Sequence, residues 1–254
     1  MFCNNIMKPF YKIIFCIYGC DTIQRYKDEI IKIQETWASN ISYKVLFFLG
    51  EEIGQLSGDQ YIHLENVGND YLSAADKQNG GIKYIYDNYD FKYMYICGTD
   101  TYVFVKNLET FIECEEETNQ IDSEKPLIIG GHGDNRKICD NHVHYFSGGA
   151  GFLLTKKAVS VIYPEIKNIQ EEWMGLCVAN NYITWIPSCD LSLCYYLKKM
   201  GIIFINVHKR FFTCNHLGYI NEYNCCAGTI DFNTVVSCHN MKSWDFDYIY
   251  GIYP

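Results

Sequence analysis

Residues 93–104 (YMYICGTDTYVF) place a single carboxylate at the end of an apolar, aromatic-rich run. Residues 93–97 read as a buried strand that stops at Gly98, Thr99 and Asp100, before a second strand-like run over 102–105. The carboxyl end of a core strand is where open α/β sheets bind ligands, and an acid-bearing turn there can hold a divalent cation against a diphosphate. The structural alternative is a turn in which Asp100 bonds local backbone. A second carboxylate, Asp190, follows Ser188 and Cys189 at the head of an amphipathic segment (Leu191, Leu193, Cys194, Tyr196, Leu197) that ends at Gly201. That places Asp190 at or near a helix N-cap, and capping is a sufficient structural reason for it. Residues 146–154 (FSGGAGFLL) carry three glycines and an alanine ahead of a helix-like segment over 155–162. Such a run lets backbone approach a ligand or a packed helix closely, but it is no GxGxxG fingerprint, so a dinucleotide is not indicated. His132, His142 and His144 match no defensible metal spacing.

The chain of 254 residues is long enough to bury a sizeable core. A net charge of -9 and the lack of a basic run argue against a nucleic-acid partner, because neutralising phosphates takes clustered Lys and Arg. The apolar N-terminal stretch is broken by Lys8, Pro9 and Lys12, well short of the roughly 20 apolar residues that span a bilayer, so neither a membrane span nor a signal peptide is expected. The 13 cysteines are odd in number and form no CxxC pair (Cys16 and Cys20, Cys189 and Cys194, Cys225 and Cys226), which favours reduced, buried thiols in a cytoplasmic protein.

The elements that must hold these residues follow in order. Residues 12–18 form a first buried strand, and Asp21 or Thr22 caps a helix running to Trp37, with Ile23, Tyr26, Ile30, Ile33 and Trp37 at helical spacing. Residues 43–49 (YKVLFFL) lack alternation and read as a central strand. A polar loop, a short strand over 61–64 and a turn at Gly68, Asn69 and Asp70 lead to a helix over 73–89, in which Gly80 and Gly81 imply close packing on the sheet or a local break. With the 93–97 strand the order is β, α, β, β, α, β, the pattern of a parallel, doubly wound α/β sheet. Residues 113–125 are acidic and read as a solvated helix end or surface loop, residues 126–131 as a strand, and HGDNRKICDNHVH as a loop. Strand 202–207 is the last clear one before Val235, Val236, Ser237, Cys238 and His239.

Taken in order, these stretches resemble the Fringe and core 1 β-1,3-galactosyltransferase branch of glycosyltransferase family 31. The series is Glu35-Thr36-Trp37, Asp70-Tyr71 with Lys77, KYIYDNYDFKYMYICGTDTYVFVKNL, FSGGAGFLLTKKAV, PSCDLSLCYYLKKMGI and VSCHNMKSWD. The resemblance covers nearly the whole chain and rests on order and spacing more than on any one motif. It implies a GT-A-like fold: a Rossmann-type, mostly parallel central sheet flanked by helices, with a smaller acceptor-side subregion. It implies one domain over 1–254, with a nucleotide-sugar half (about 1–110) and an acceptor and catalytic half (about 111–254). The implied activity is metal-dependent, inverting transfer from a UDP-sugar to a glycan or glycoprotein hydroxyl, in a β-1,3 linkage.

By the same resemblance Asp100 takes the place of the last acid of the DxD motif and, with His239, ligates Mn2+ or Mg2+. Asp190 matches the catalytic base. Arg25, Asp70, Lys77, Gly98, Thr99 and Asp100 face the donor, and Gly148, Gly149 and Ala150 line the donor and acceptor cleft. The chain departs from the pattern where Gly98 and Thr99 replace acids and Cys189 replaces the acid beside Asp190. No Golgi anchor of the family's kind is expected, and a composition rich in Lys, Ile, Asn and Tyr fits a viral or protist protein of the cytosol. The lost acids raise a second reading, a non-catalytic relative that binds a partner as a chaperone does. A free-standing sugar-binding module is the third, resting on aromatic content that core packing also explains.

Overall fold

The computed structural model describes residues 8–51, 56–138, 141–213 and 230–253. The apolar run at the start of this region becomes β1 (Phe10–Tyr18), followed by α1 (Gln24–Glu35), β2 (Lys44–Leu49), β3 (Tyr61–His63), α2 (Ala74–Asn88) and β4 (Asp90–Cys97). This is the expected order, and β4, β1, β2 and β3 pair in parallel. Next come β5 (Tyr102–Val103), α3 (Val105–Glu117), β6 (Leu127–Gly130), β7 (His132–Ile138), β8 (Asn141–Phe146) and β9 (Phe152–Thr155). The chain continues through α4 (Lys156–Ile162), α5 (Ile169–Ala179), α6 (Cys189–Lys199), β10 (Ile203–Asn206), β11 (Phe211–Phe212), β12 (Ser237–Cys238) and α7 (Ser243–Ile252).

The central sheet has seven strands in the order β10-β6-β9-β4-β1-β2-β3, and β9 alone runs antiparallel to its neighbours. The result is the mostly parallel, helix-flanked α/β sheet of a GT-A-like fold. Alternation along the strands divides the core between the two faces. Ile13, Phe15, Ile17, Phe47, Leu49, Tyr93 and Tyr95 pack under α1, α3 and α7. Ile14, Cys16, Leu46, Phe48, Met94 and Ile96 pack under α2, α4, α5 and α6. Each such side chain contributes about 1.5–3 kcal/mol by leaving water.

The glycine pair in α2 does not break the helix. A Cβ on Gly81 would lie 2.7 Å from both Cys16 Sγ and Phe48 Cδ2, so the residue lets α2 sit directly on β1 and β2. Gly81→Val is expected to destabilise the protein by about 1–3 kcal/mol through overpacking, read from the midpoint of urea unfolding. An unchanged midpoint would show that α2 does not bear on the sheet there.

Four local expectations are corrected. Neither Asp21 nor Thr22 caps α1, which starts at Gln24 with Ile23 in the cap position and no side-chain bond. Asp21 instead accepts from Leu56 N and Asn69 Nδ2, and Thr22 donates to Asn69 O, so both tie loops together. HGDNRKICDNHVH is not a loop but the hairpin of β7 and β8. His132, His142 and His144 lie on its strands, with side chains that are not described, and Cys139, Cys225 and Cys226 lie outside the described residues. The strand expected over 102–105 is two residues long, because Val105 already opens α3. Finally, the glycine run introduces β9 rather than a helix, and α4 has its own cap, Thr155 Oγ1 accepting from Ala158 N at 3.1 Å.

The eight described cysteines are unbonded and seven are buried. No helix among the described residues is long and apolar enough to cross a membrane.

Candidate active site

The antiparallel course of β9 sets the geometry of the site. Because β9 runs against β4 and β6, the glycine turn before it lands on the same rim as the turns after β1 and β4. The short ladder of β12 against β5 brings in the C-terminal segment: Cys238 pairs with Tyr102, and Met241 N donates to Asp100 O at 3.0 Å. His239 therefore stands next to Asp100, with Nε2 3.3 Å from Oδ1. Residues far apart in the chain thus line one cleft of about 480 Å³, among them Arg25, Asp70, Lys77, Gly98, Thr99, Asp100, Gly149, Asp190 and His239.

Gly148 and Ala150 do not line it. Ala150 is fully buried, and its carbonyl accepts from Tyr95 Oη and Ser237 Oγ, which fixes the turn to the sheet. Gly148 acts through its amide, donating to Asp190 Oδ2 at 3.0 Å. A Cβ there would lie 3.0 Å from Asp190 Cβ, and a Cβ on Gly149 would overlap the His239 ring. The two glycines make room for the side chains beside them.

Asp190 lies in the first turn of α6, after Ser188 in the cap position. Oδ1 accepts from Leu191 N at 2.8 Å, so it serves a helix-end amide as expected, while Oδ2 reaches across to Gly148. Burial pushes its carboxyl up and outweighs both amide bonds, leaving the pKa above the ordinary carboxylate range. A carboxylate so raised is a better proton acceptor than an exposed one.

Asp100 and His239 shift the other way. Burial alone would raise the carboxyl and lower the imidazole. Their mutual charge and hydrogen bond win, so Asp100 is held below and His239 above its usual value. His239 Nδ1 contacts Thr213 O at 3.3 Å, which orients the ring with Nε2 toward Asp100. With Nδ1 held by a carbonyl, Nε2 faces Asp100, and the two could meet a metal only in place of their own hydrogen bond. Among the described residues no group of three or more His, Cys, Asp or Glu can hold a metal. Asp100 and His239 could hold a cation only with its remaining ligands supplied from outside the protein.

Also in the cleft, Asp70 Oδ1 accepts from Ser73 N at 2.9 Å, a backbone bond that lowers its pKa. Lys77, only 2% exposed, donates to Asp70 O at 2.6 Å, and burial pulls its ammonium down. Sequence reasoning missed Glu29, which pairs with Arg25, and Tyr18, whose hydroxyl lies against Gly148. The i, i+4 spacing of Arg25 and Glu29 is a readable signal for the first; Tyr18 carries none, being the last residue of an apolar strand.

No family model matches the chain. Over 183 residues it is 26% identical to chondroitin sulfate synthase 3 of Mus musculus. The match covers 67% of this chain, which spans only 19% of that relative's length.

Proposed function

We propose that the chain is a glycosyltransferase, of the inverting, metal-dependent kind found in the Fringe and core 1 branch of family 31. It moves a sugar from a UDP-sugar to a hydroxyl of a glycan or glycoprotein, forming a β-1,3 linkage. The observation that carries this reading is the placement of Asp190 in one cleft with the Asp100–His239 pair, each held from outside by backbone. The likeness to a chondroitin sulfate synthase supports the same class.

In this mechanism Asp190 takes the proton of the acceptor hydroxyl as its oxygen forms a bond to the sugar's anomeric carbon. The bond from that carbon to the diphosphate oxygen breaks on the opposite face, so one displacement inverts the centre and UDP leaves with the electron pair. Asp100 and His239 would hold Mn2+ or Mg2+, which supplies Lewis-acid stabilisation of the departing charge when bound. Arg25 and Lys77 add fixed positive charge to the same cleft.

The second reading, a partner-binding relative, is favoured by Gly98 and by Thr99, whose hydroxyl is committed to Glu29. Titration calorimetry with UDP separates the two. Wild type is expected to bind UDP with Mn2+ and to lose at least about tenfold in affinity when Mn2+ is withheld or Asp100 becomes Ala. Absence of UDP binding with and without Mn2+ would overturn the glycosyltransferase reading and favour the partner-binding one.

A further inference from the structure

Glu29 is an acid on the buried face of α1, beside Ile30 and Ile33, and is 2% exposed. Both of its oxygens are committed: Oε1 to Arg25 Nε at 2.8 Å and Oε2 to Thr99 Oγ1 at 2.5 Å. A carboxylate removed from water persists only when paired and hydrogen-bonded, and an apolar side chain of similar volume usually serves packing as well or better. Packing therefore does not account for Glu29.

Its partners do. Arg25 is half exposed on the cleft, with its Nε edge tied to Glu29 and Nη2 3.7 Å from Asp100 Oδ2. A guanidinium is a planar fork, so fixing one edge aims the other. Thr99 belongs to the turn after β4, so the same carboxylate fastens α1 to the turn that carries Asp100.

We propose that Glu29 is a positioning residue of the donor site, aiming the outer edge of the Arg25 guanidinium at the diphosphate of the nucleotide sugar. The inference rests on the glycosyltransferase reading and deepens it. Gly98 and Thr99 leave the rim short of acids to hold a cation, and Arg25 supplies positive charge that needs no metal. Nη2, 3.7 Å from Asp100 Oδ2, lies where a diphosphate held at Asp100 would meet it, while Glu29 keeps Nε in place.

The test is UDP calorimetry in saturating Mn2+ on the full chain, comparing wild type, Arg25→Ala, Glu29→Gln and the double variant, each checked by thermal melting. Arg25→Ala and Glu29→Gln are each expected to weaken UDP about tenfold, and the double variant to bind no more weakly than Arg25→Ala alone. Glu29→Met, suited to a buried helix face, replaces Glu29→Gln should the latter fail to fold. Additive losses, or wild-type affinity in any of these variants, would overturn the positioning role. A wild type that binds no UDP overturns the glycosyltransferase reading itself, and this inference with it.

Discussion

Asp190→Asn is expected to lower kcat by roughly 10²–10⁴-fold, the usual contribution of a positioned general base, while UDP binds within about twofold of wild type. The split follows from geometry. Asp190 makes its two bonds to protein amides and lines the cleft from the start of α6, while Arg25 and Lys77 line it from α1 and α2. The wild-type kcat is also expected to fall as pH drops through the Asp190 pKa, since the base works only when ionised, and burial sets that limb above the ordinary carboxylate range. Asparagine has no proton to lose there, so the variant's residual rate should be flat across the same interval. Asparagine can accept from only one of the two amides at a time, leaving a second bond unmade at about 1–3 kcal/mol, and a melt run in parallel separates that from chemistry. Wild-type turnover by the variant would remove Asp190 from the mechanism.

Trp173→Ala is expected to cost about 3–5 kcal/mol of stability, because it empties a large, fully buried site. The indole also donates from Nε1 to Trp185 O at 3.0 Å, holding the segment that leads through Pro187 and Ser188 into α6. Trp173→Phe keeps most of the volume and loses that bond, so it should cost much less and serve as the control. Urea unfolding measures both. A loss below about 1 kcal/mol in the alanine variant would mean that the core collapses around the gap.

Much of the first half was legible because its signals are local. Residues 43–49 and 93–97 are continuous apolar runs, and a strand covered on both faces requires that pattern. Gly201, at φ +76 just after α6, ended its helix as glycine commonly does. The direction of β9 was not legible, since FLLT buried antiparallel has the same composition as FLLT buried parallel. The β7–β8 hairpin lies outside the central sheet and its sequence is largely polar, so it read as loop. The ladders of β5, β11 and β12 are two residues long and form through contacts distant in sequence. In the site, Asp100 and Asp190 stood out as acids at the ends of elements, whereas His239 entered only through the family resemblance. Ala150 and Gly148 were misplaced because a glycine-rich run does not reveal which of its residues faces a ligand and which faces its own neighbours.

The seating of β9 also bears on how such a molecule is assembled and divided. A strand from the later half of the chain lies between β4, from the earlier half, and β6. Severing the backbone near residue 110 would leave β4 with a raw hydrogen-bonding edge that only the other fragment can close. Neither piece holds a whole sheet or a whole cleft, because each contributes strands to the one and lining residues to the other.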